Sequence, residues 1–176
     1  MIDYPSLFPE IKPSAKAWAY VANRPLSAQE ETSLAETVNS FRAQWSSHGR
    51  LVHSAFAVLE NQILILSADV QQGDISGCGI DKSLHLLNEI ASNDGYEWAS
   101  SLSIAFKDGN DRLRVVPRSE FKSLVKEGQV DQNTIVFDLS ISHLQDIRSG
   151  LFELPAGASW HQRVFRLPAL QPLSNF

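Results

Sequence analysis

The spacing of apolar residues changes several times along the chain, and each change marks an element. In "AWAYVAN" (17–23), Trp18, Tyr20 and Ala22 alternate with smaller residues, the two-residue period of a strand. From Ser27 the period lengthens. "SAQE" is a capping box, with the Ser27 hydroxyl accepting from the Glu30 amide while Glu30 reaches back. Leu34, Val38, Phe41 and Trp45 follow on one helical face, and His48-Gly49 is expected to end the helix, glycine supplying the left-handed cap. "LVHSAFAVL" (51–59) and "QILILSAD" (62–69) then read as strands joined by Glu60-Asn61, a two-residue hairpin connection. The second is apolar on both faces, as a covered central strand is.

Gly73, Gly77 and Gly79 make a loop, after which a helix starting near Asp81 is expected to bury Ile80, Leu84, Leu87 and Ala91 and to end at Asn93-Asp94-Gly95. "SLSIAFK" (101–107) and "RLRVV" (112–116) flank the turn "DGND" as a further hairpin. Ser119 to Glu127 reads as a short helix with Phe121, Leu124 and Val125 inside, and "TIVFD" (134–138) as a strand. "SHLQDIRSG" (142–150) opens with a second capping pattern, Ser142 and Gln145.

Residues 17–107 therefore run β-α-β-β-α-β, the ferredoxin-like order, extended by a hairpin strand, two short helices and a further strand. The fold class is α+β. The doubly apolar strand keeps an open mixed α/β sheet as the alternative. Residues 1–16, with Pro5, Pro9 and Pro13, form an irregular arm whose Tyr4, Leu7, Phe8 and Ile11 are expected to pack on the body. Residues 17–166 form a single domain, and 167–176 a tail.

Composition narrows the partners. A chain of 176 residues supports one substantial core. Its formal net charge of −5, with no basic run, argues against nucleic acid as a partner. No stretch approaches the roughly 18 apolar residues of a membrane span, and the first residues lack the pattern of a signal peptide. A single cysteine and the lack of an N-x-Ser/Thr sequon fit a cytoplasmic protein. No motif calls for a cofactor.

The densest chemistry is "SGCGIDKSLH" (76–85). It is not a P-loop, because Asp81 and Ser76 stand where that loop needs glycines. It is not a dinucleotide fingerprint either, since Lys82 occupies the place of the third glycine. No Gly-x-Ser-x-Gly elbow and no metal-ligand spacing occurs elsewhere. Cys78 is a candidate nucleophile, because a helix N-terminus and a nearby lysine both favour a thiolate. The competing reading is a small, buried, inert side chain. His85 is about 10 Å along a helix from Cys78, so the base would be His161 of "SWHQRVF" or His48. Lys82, Ser83 and Gly79, with helix-start amides and Arg24 of "NRPL", are the candidate anion ligands, whereas Asp81 is expected to serve as N-cap. The bland alternatives are a loop role for Arg24 and core packing for Trp160, Val164 and Phe165.

Taken together, "NRPL", "FRAQWSSHG", "SGCGIDKS", "NTIVFD" and "SWHQRVF" resemble an uncharacterised bacterial family whose members often carry the label "ABC transporter ATPase". The resemblance covers about residues 17–166. It implies no catalytic residue, and a transporter ATPase would need the Walker A loop that residues 76–83 do not form. Members of that family often have serine where this chain has Gly79.

Two functions follow as expectations. One is a small anionic ligand-binding or thiol-dependent site at 76–83, with Cys78 and His161 as the chemical groups. The other is a non-catalytic interaction protein, a homo-oligomer included, using Tyr4, Phe8, Leu167, Leu170 and Phe176. ATP hydrolysis is not expected.

Overall fold

Strand pairing follows the alternation of large and small side chains. The computed structural model describes residues 3–70 and 73–168. In chain order they form β1 (Lys16–Val21), α1 (Ala28–Arg42), β2 (Ser46–Ser47), β3 (Arg50–Leu51), β4 (His53–Leu59), β5 (Ile63–Asp69) and α2 (Gly77–Asp94). Then come β6 (Ile104–Lys107), β7 (Leu113–Val116), α3 (Arg118–Lys126), β8 (Ile135–Phe137), α4 (Leu144–Arg148), β9 (Glu153–Pro155) and α5 (Trp160–Phe165). One antiparallel sheet has the order β1-β5-β4, a second has β7-β6-β8-β9, and β2 and β3 make a small hairpin.

The two larger sheets pack face to face. Ala17, Val21, Ala55, Leu59, Ile63 and Ile65 of the first meet Ala105 and Phe137 of the second. Phe152, α4 residues Leu144 and Ile147, and Phe8 and Ile11 of the arm close the same core. The alternate residues of the first sheet, including Phe56, Val58 and Leu64, pack against Leu34 and Val38 of α1 and Leu87 and Ile90 of α2. Beyond the second sheet, Ile104, Phe106 and Val136 pack against Phe121 and Leu124 of α3 and Trp160 and Phe165 of α5. The order of layers is helix, sheet, sheet, helix, which is α+β. Burial of β5 on both faces comes from this stacking of a sheet and a helix layer on its two sides, so it does not call for the open α/β alternative.

Several expectations change. The strand read at 101–107 begins at Ile104 and belongs to the second sheet, so it does not join β1, β5 and β4 in the single four-stranded sheet that the ferredoxin-like order called for. After α2 the chain touches the end of β1 through a bridge between Ala22 and Trp98 before it departs, and Lys16 at the start of β1 bridges His143. Helix α1 stops at Arg42 rather than at His48. His48-Gly49 instead turns the β2–β3 hairpin, both in the left-handed region at φ 51° and 73°. The earlier stop lets Trp45 turn inward, where it is buried and its indole N–H donates to the Gly79 carbonyl at 3.0 Å. In α4 the cap is Asp146, which accepts from the His143 and Ser142 amides, rather than the Ser142–Gln145 pair. Leu84 is exposed rather than buried, as is Val164.

Polar ties hold the layers in register. Lys107, at the end of β6, reaches across to Glu60 in the β4–β5 turn at 3.2 Å and to Glu153 of β9 at 3.7 Å. Burial opposes its charge, but these carboxylates outweigh that and raise its pKa. Tyr4 of the arm donates to Glu153 at 2.6 Å, and Arg148 of α4 donates to the carbonyls of Leu7, Phe8 and Ile11. The arm is thus fastened rather than free. Leu167, read as the start of the tail, is buried against the outer face of the second sheet, while Leu170 and Phe176 lie outside the described residues.

Truncating Phe137, which lies between the sheets, is expected to cost about 3–5 kcal/mol. Leu102→Ala, at a side chain 63% exposed, is expected to change stability by less than about 0.5 kcal/mol. Urea unfolding of the two variants checks both values.

Candidate functional site

The start of α2 is set by Ser76, not Asp81. Ser76 is the N-cap, its hydroxyl accepting from the Gly79 amide at 3.1 Å. Asp81 is therefore displaced from the capping role and sits exposed inside the helix. The β2–β3 hairpin docks on this helix start. Ser47 Oγ accepts from the Ser76 amide at 2.9 Å and lies 3.1 Å from Ser76 Oγ, and Trp45 donates to Gly79. Close packing explains one of the glycines. A Cβ on Gly79 would sit 3.0 Å from Ile75 Cγ2 and 3.3 Å from Ser76 Oγ. Gly73 is at φ +82°, where a side chain is strained. Neither needs a ligand to account for it.

This geometry redistributes the anion ligands. Lys82 and Ser83 lie more than one turn inside the helix, where their amides are committed to the helical ladder. Ser83 is 2% exposed, and its hydroxyl donates to Ile80 O at 2.7 Å. Gly79 is buried and its amide is capped. What remains open are the Gly77 and Cys78 N–H groups, which donate to no described group, together with the exposed Lys82 side chain and the exposed Cys78 thiol. Cys78 is the second helical residue.

His161 does not join them. It is 0% exposed on α5, its ring stacked on Trp160 at 3.7 Å and near Phe121 and Phe165 on the outer face of the second sheet. Ser159 Oγ lies 2.8 Å from Nδ1, while Nε2 is buried without a partner. The Ser159 hydroxyl also donates to Ala156 O at 3.0 Å, so Nδ1 carries the proton and Nε2 is a bare acceptor. Protonation would place an N–H where nothing accepts it. Burial accordingly lowers the His161 pKa to about 4, with Asp138 opposing and Arg118 adding to the shift. The candidate base is a neutral core residue, sealed away from Cys78 behind the sheets.

Arg24 is also structural. It forms a bidentate pair with Glu30 at 2.6 and 3.0 Å, lies 5.8 Å from the Tyr96 ring centroid, and donates to the carbonyls of Asp94 and Gly95. Glu30 is held at about 2 by Arg24 and by the Ser27 amide. These carbonyls end α2. An 18-residue helix spans about 27 Å, so Arg24 and Cys78 lie at opposite ends of it.

Sequence reasoning missed two features beside Cys78. The first is the docked hairpin, which brings His48, next to Ser47, to the helix start; the signal was an indole N–H at Trp45 that needs an acceptor when buried. The second is a groove of about 510 Å³ between α1 and α2, with Phe41 and Leu86 among its lining and Asp81, Lys82, His85 and Glu89 also lining it. Among the described residues, no three His, Cys, Asp or Glu side chains are grouped as metal ligands would be, and no helix is long and apolar enough to cross a membrane. No family model, curated protein or solved structure matches the chain.

His161 gives a pH dependence of defined sign. Its folded value lies below the ordinary 6.5, so the unfolded chain takes up the proton first. The stability is fully present above about pH 6.5 and is lost as pH falls towards 4, by up to roughly 3 kcal/mol. In urea unfolding from pH 7.5 to 4, His161→Phe is expected to flatten this decline relative to the parent.

Proposed function

We propose that the protein is a ligand-binding protein whose recognition surface is the N-terminal turn of α2, with the Cys78 thiol at its centre and Lys82 beside it, for a small anionic ligand or a thiol-directed electrophile. The observation that carries this reading is the contrast between an exposed sulfur and a locked frame around it. Ser76, Gly79 and Ser83 are each fixed by hydrogen bonds or packing, whereas Cys78 faces solvent next to two open amides. A rigid frame lowers the ordering cost of binding. The helix end and Lys82 supply positive potential, which favours an anion. His161 has no part in it. Resemblance to the bacterial family noted above belongs to the same proposal and brings no nucleotide chemistry with it.

A second reading is favoured by the groove between α1 and α2. Its apolar floor of Phe41 and Leu86 and its rim bearing both signs of charge suit a partner protein, or a second copy of this chain.

Alkylation kinetics test the first reading. Iodoacetate, an anion, is compared with neutral iodoacetamide on Cys78 and on a cysteine peptide. The ratio of the two rates is expected to be at least about threefold higher on the protein, and Lys82→Gln is expected to reduce it. A protein ratio equal to or below that of the peptide would remove the anion-binding claim.

A further inference from the structure

The other end of α2 carries a feature that the site at Cys78 does not use. Where β1 exits beside the last turns of α2, a hollow of about 580 Å³ is lined by Asn23, Asn88, Ser92, Tyr96, Glu97 and Trp98, among others. That volume is in the range of small-molecule clefts, roughly 300–1,000 Å³. Its polar groups are largely unspent. The side chains of Asn88, Ser92 and Glu97 make no hydrogen bond or ion pair with any described residue. Asn23 uses its carbonyl oxygen to accept from the Glu97 amide at 3.1 Å, which leaves its NH₂ group to donate. Asn88 and Ser92 are four residues apart on α2, so they share one face.

The walls are aromatic. Tyr96 and Trp98 stand edge to face with centroids 5.3 Å apart. The indole N–H is anchored on Leu87 O at 2.9 Å, which fixes the ring. Tyr96 is 3% exposed, and its hydroxyl is buried with no partner.

We infer that this hollow binds a small neutral saccharide. An anion is disfavoured because no lysine or arginine lines the hollow and Glu97 would repel it. An organic cation would use Glu97 alone and leave the amides and hydroxyl idle. A sugar uses the whole set. Its hydroxyls both donate and accept, matching two amides, a hydroxyl and a carboxylate, while its C–H face packs on an aromatic ring.

The test is a titration of the ¹⁵N-labelled full chain, followed by amide and indole NMR shifts. The probes are glucose, galactose, N-acetylglucosamine and cellobiose at millimolar concentration, with putrescine and inorganic phosphate as competing arms. At least one sugar is expected to shift the amides of residues 95–98 and the Trp98 indole. Glu97→Gln and Asn88→Ala are each expected to weaken that response roughly fivefold. Lys82→Gln, towards the opposite end of α2, should leave it unchanged, which separates this site from the one at Cys78. The inference is overturned if none of the sugars moves these signals, or if putrescine or phosphate moves them at the same concentration.

Discussion

Face-to-face packing of the two antiparallel sheets is the constraint on which everything else rests. The alternation in β1, β4 and β5 gives each strand one small-to-medium apolar face, built from Ala17, Ala55, Ile63 and Ile65, and one bulkier face with Tyr20, Phe56 and Leu64. The first face fits closely against Ala105 and Phe137, because small residues let two sheets approach while the larger ones interdigitate. The second must then be covered by α1 and α2. By the same logic the outer face of the second sheet, with Phe106 and Val136, requires α3 and α5. The arm and α4 plug the core they border, and Lys107 ties β6 to the β4–β5 turn at its polar edge.

That stack also divides the chemistry. Whatever lies on α1 and α2 is separated from whatever lies on α3 and α5 by two sheets and the apolar core between them. Cys78 and Lys82 belong to the first outer layer and His161 to the second, so they cannot share a reacting atom. Within the first layer, the length of α2 sets apart the open amides at its start from the hollow at its end. The helix is a strut with a distinct surface at each end, held by Trp45 and Ser47 at one and by Arg24 and Trp98 at the other.

Local signals in the sequence were strong where they were self-contained. The Ser27–Glu30 capping box forms as the residues suggest, and the β4–β5 pairing runs through the Glu60-Asn61 turn, both residues lying in the left-handed region. The exposed thiol was one of two open readings of Cys78. What could not be read was anything decided by partners distant in sequence. Trp45 fitted the helical period of α1, but its indole N–H finds its acceptor at Gly79, and the helix ends early to allow it. Asp81 was read as the cap of α2, whereas the contact of Ser76 with the distant Ser47 places the cap at Ser76. Ile104–Lys107 has the pattern of a strand in either sheet; only the inter-sheet core assigns it to the second. By residue type His161 was a candidate base and Arg24 a candidate anion ligand, and burial in one case and ion pairing in the other account for these side chains without such roles.

The division of the molecule by its paired sheets is tested most directly by the rate at which iodoacetamide alkylates Cys78 in the parent chain and in His161→Phe, at a pH where the histidine is neutral. The two rates should agree within about twofold, because a ring sealed in the opposite layer cannot assist the sulfur. A fall of about a hundredfold, the usual contribution of a general base, would place the two groups in one site and contradict the account.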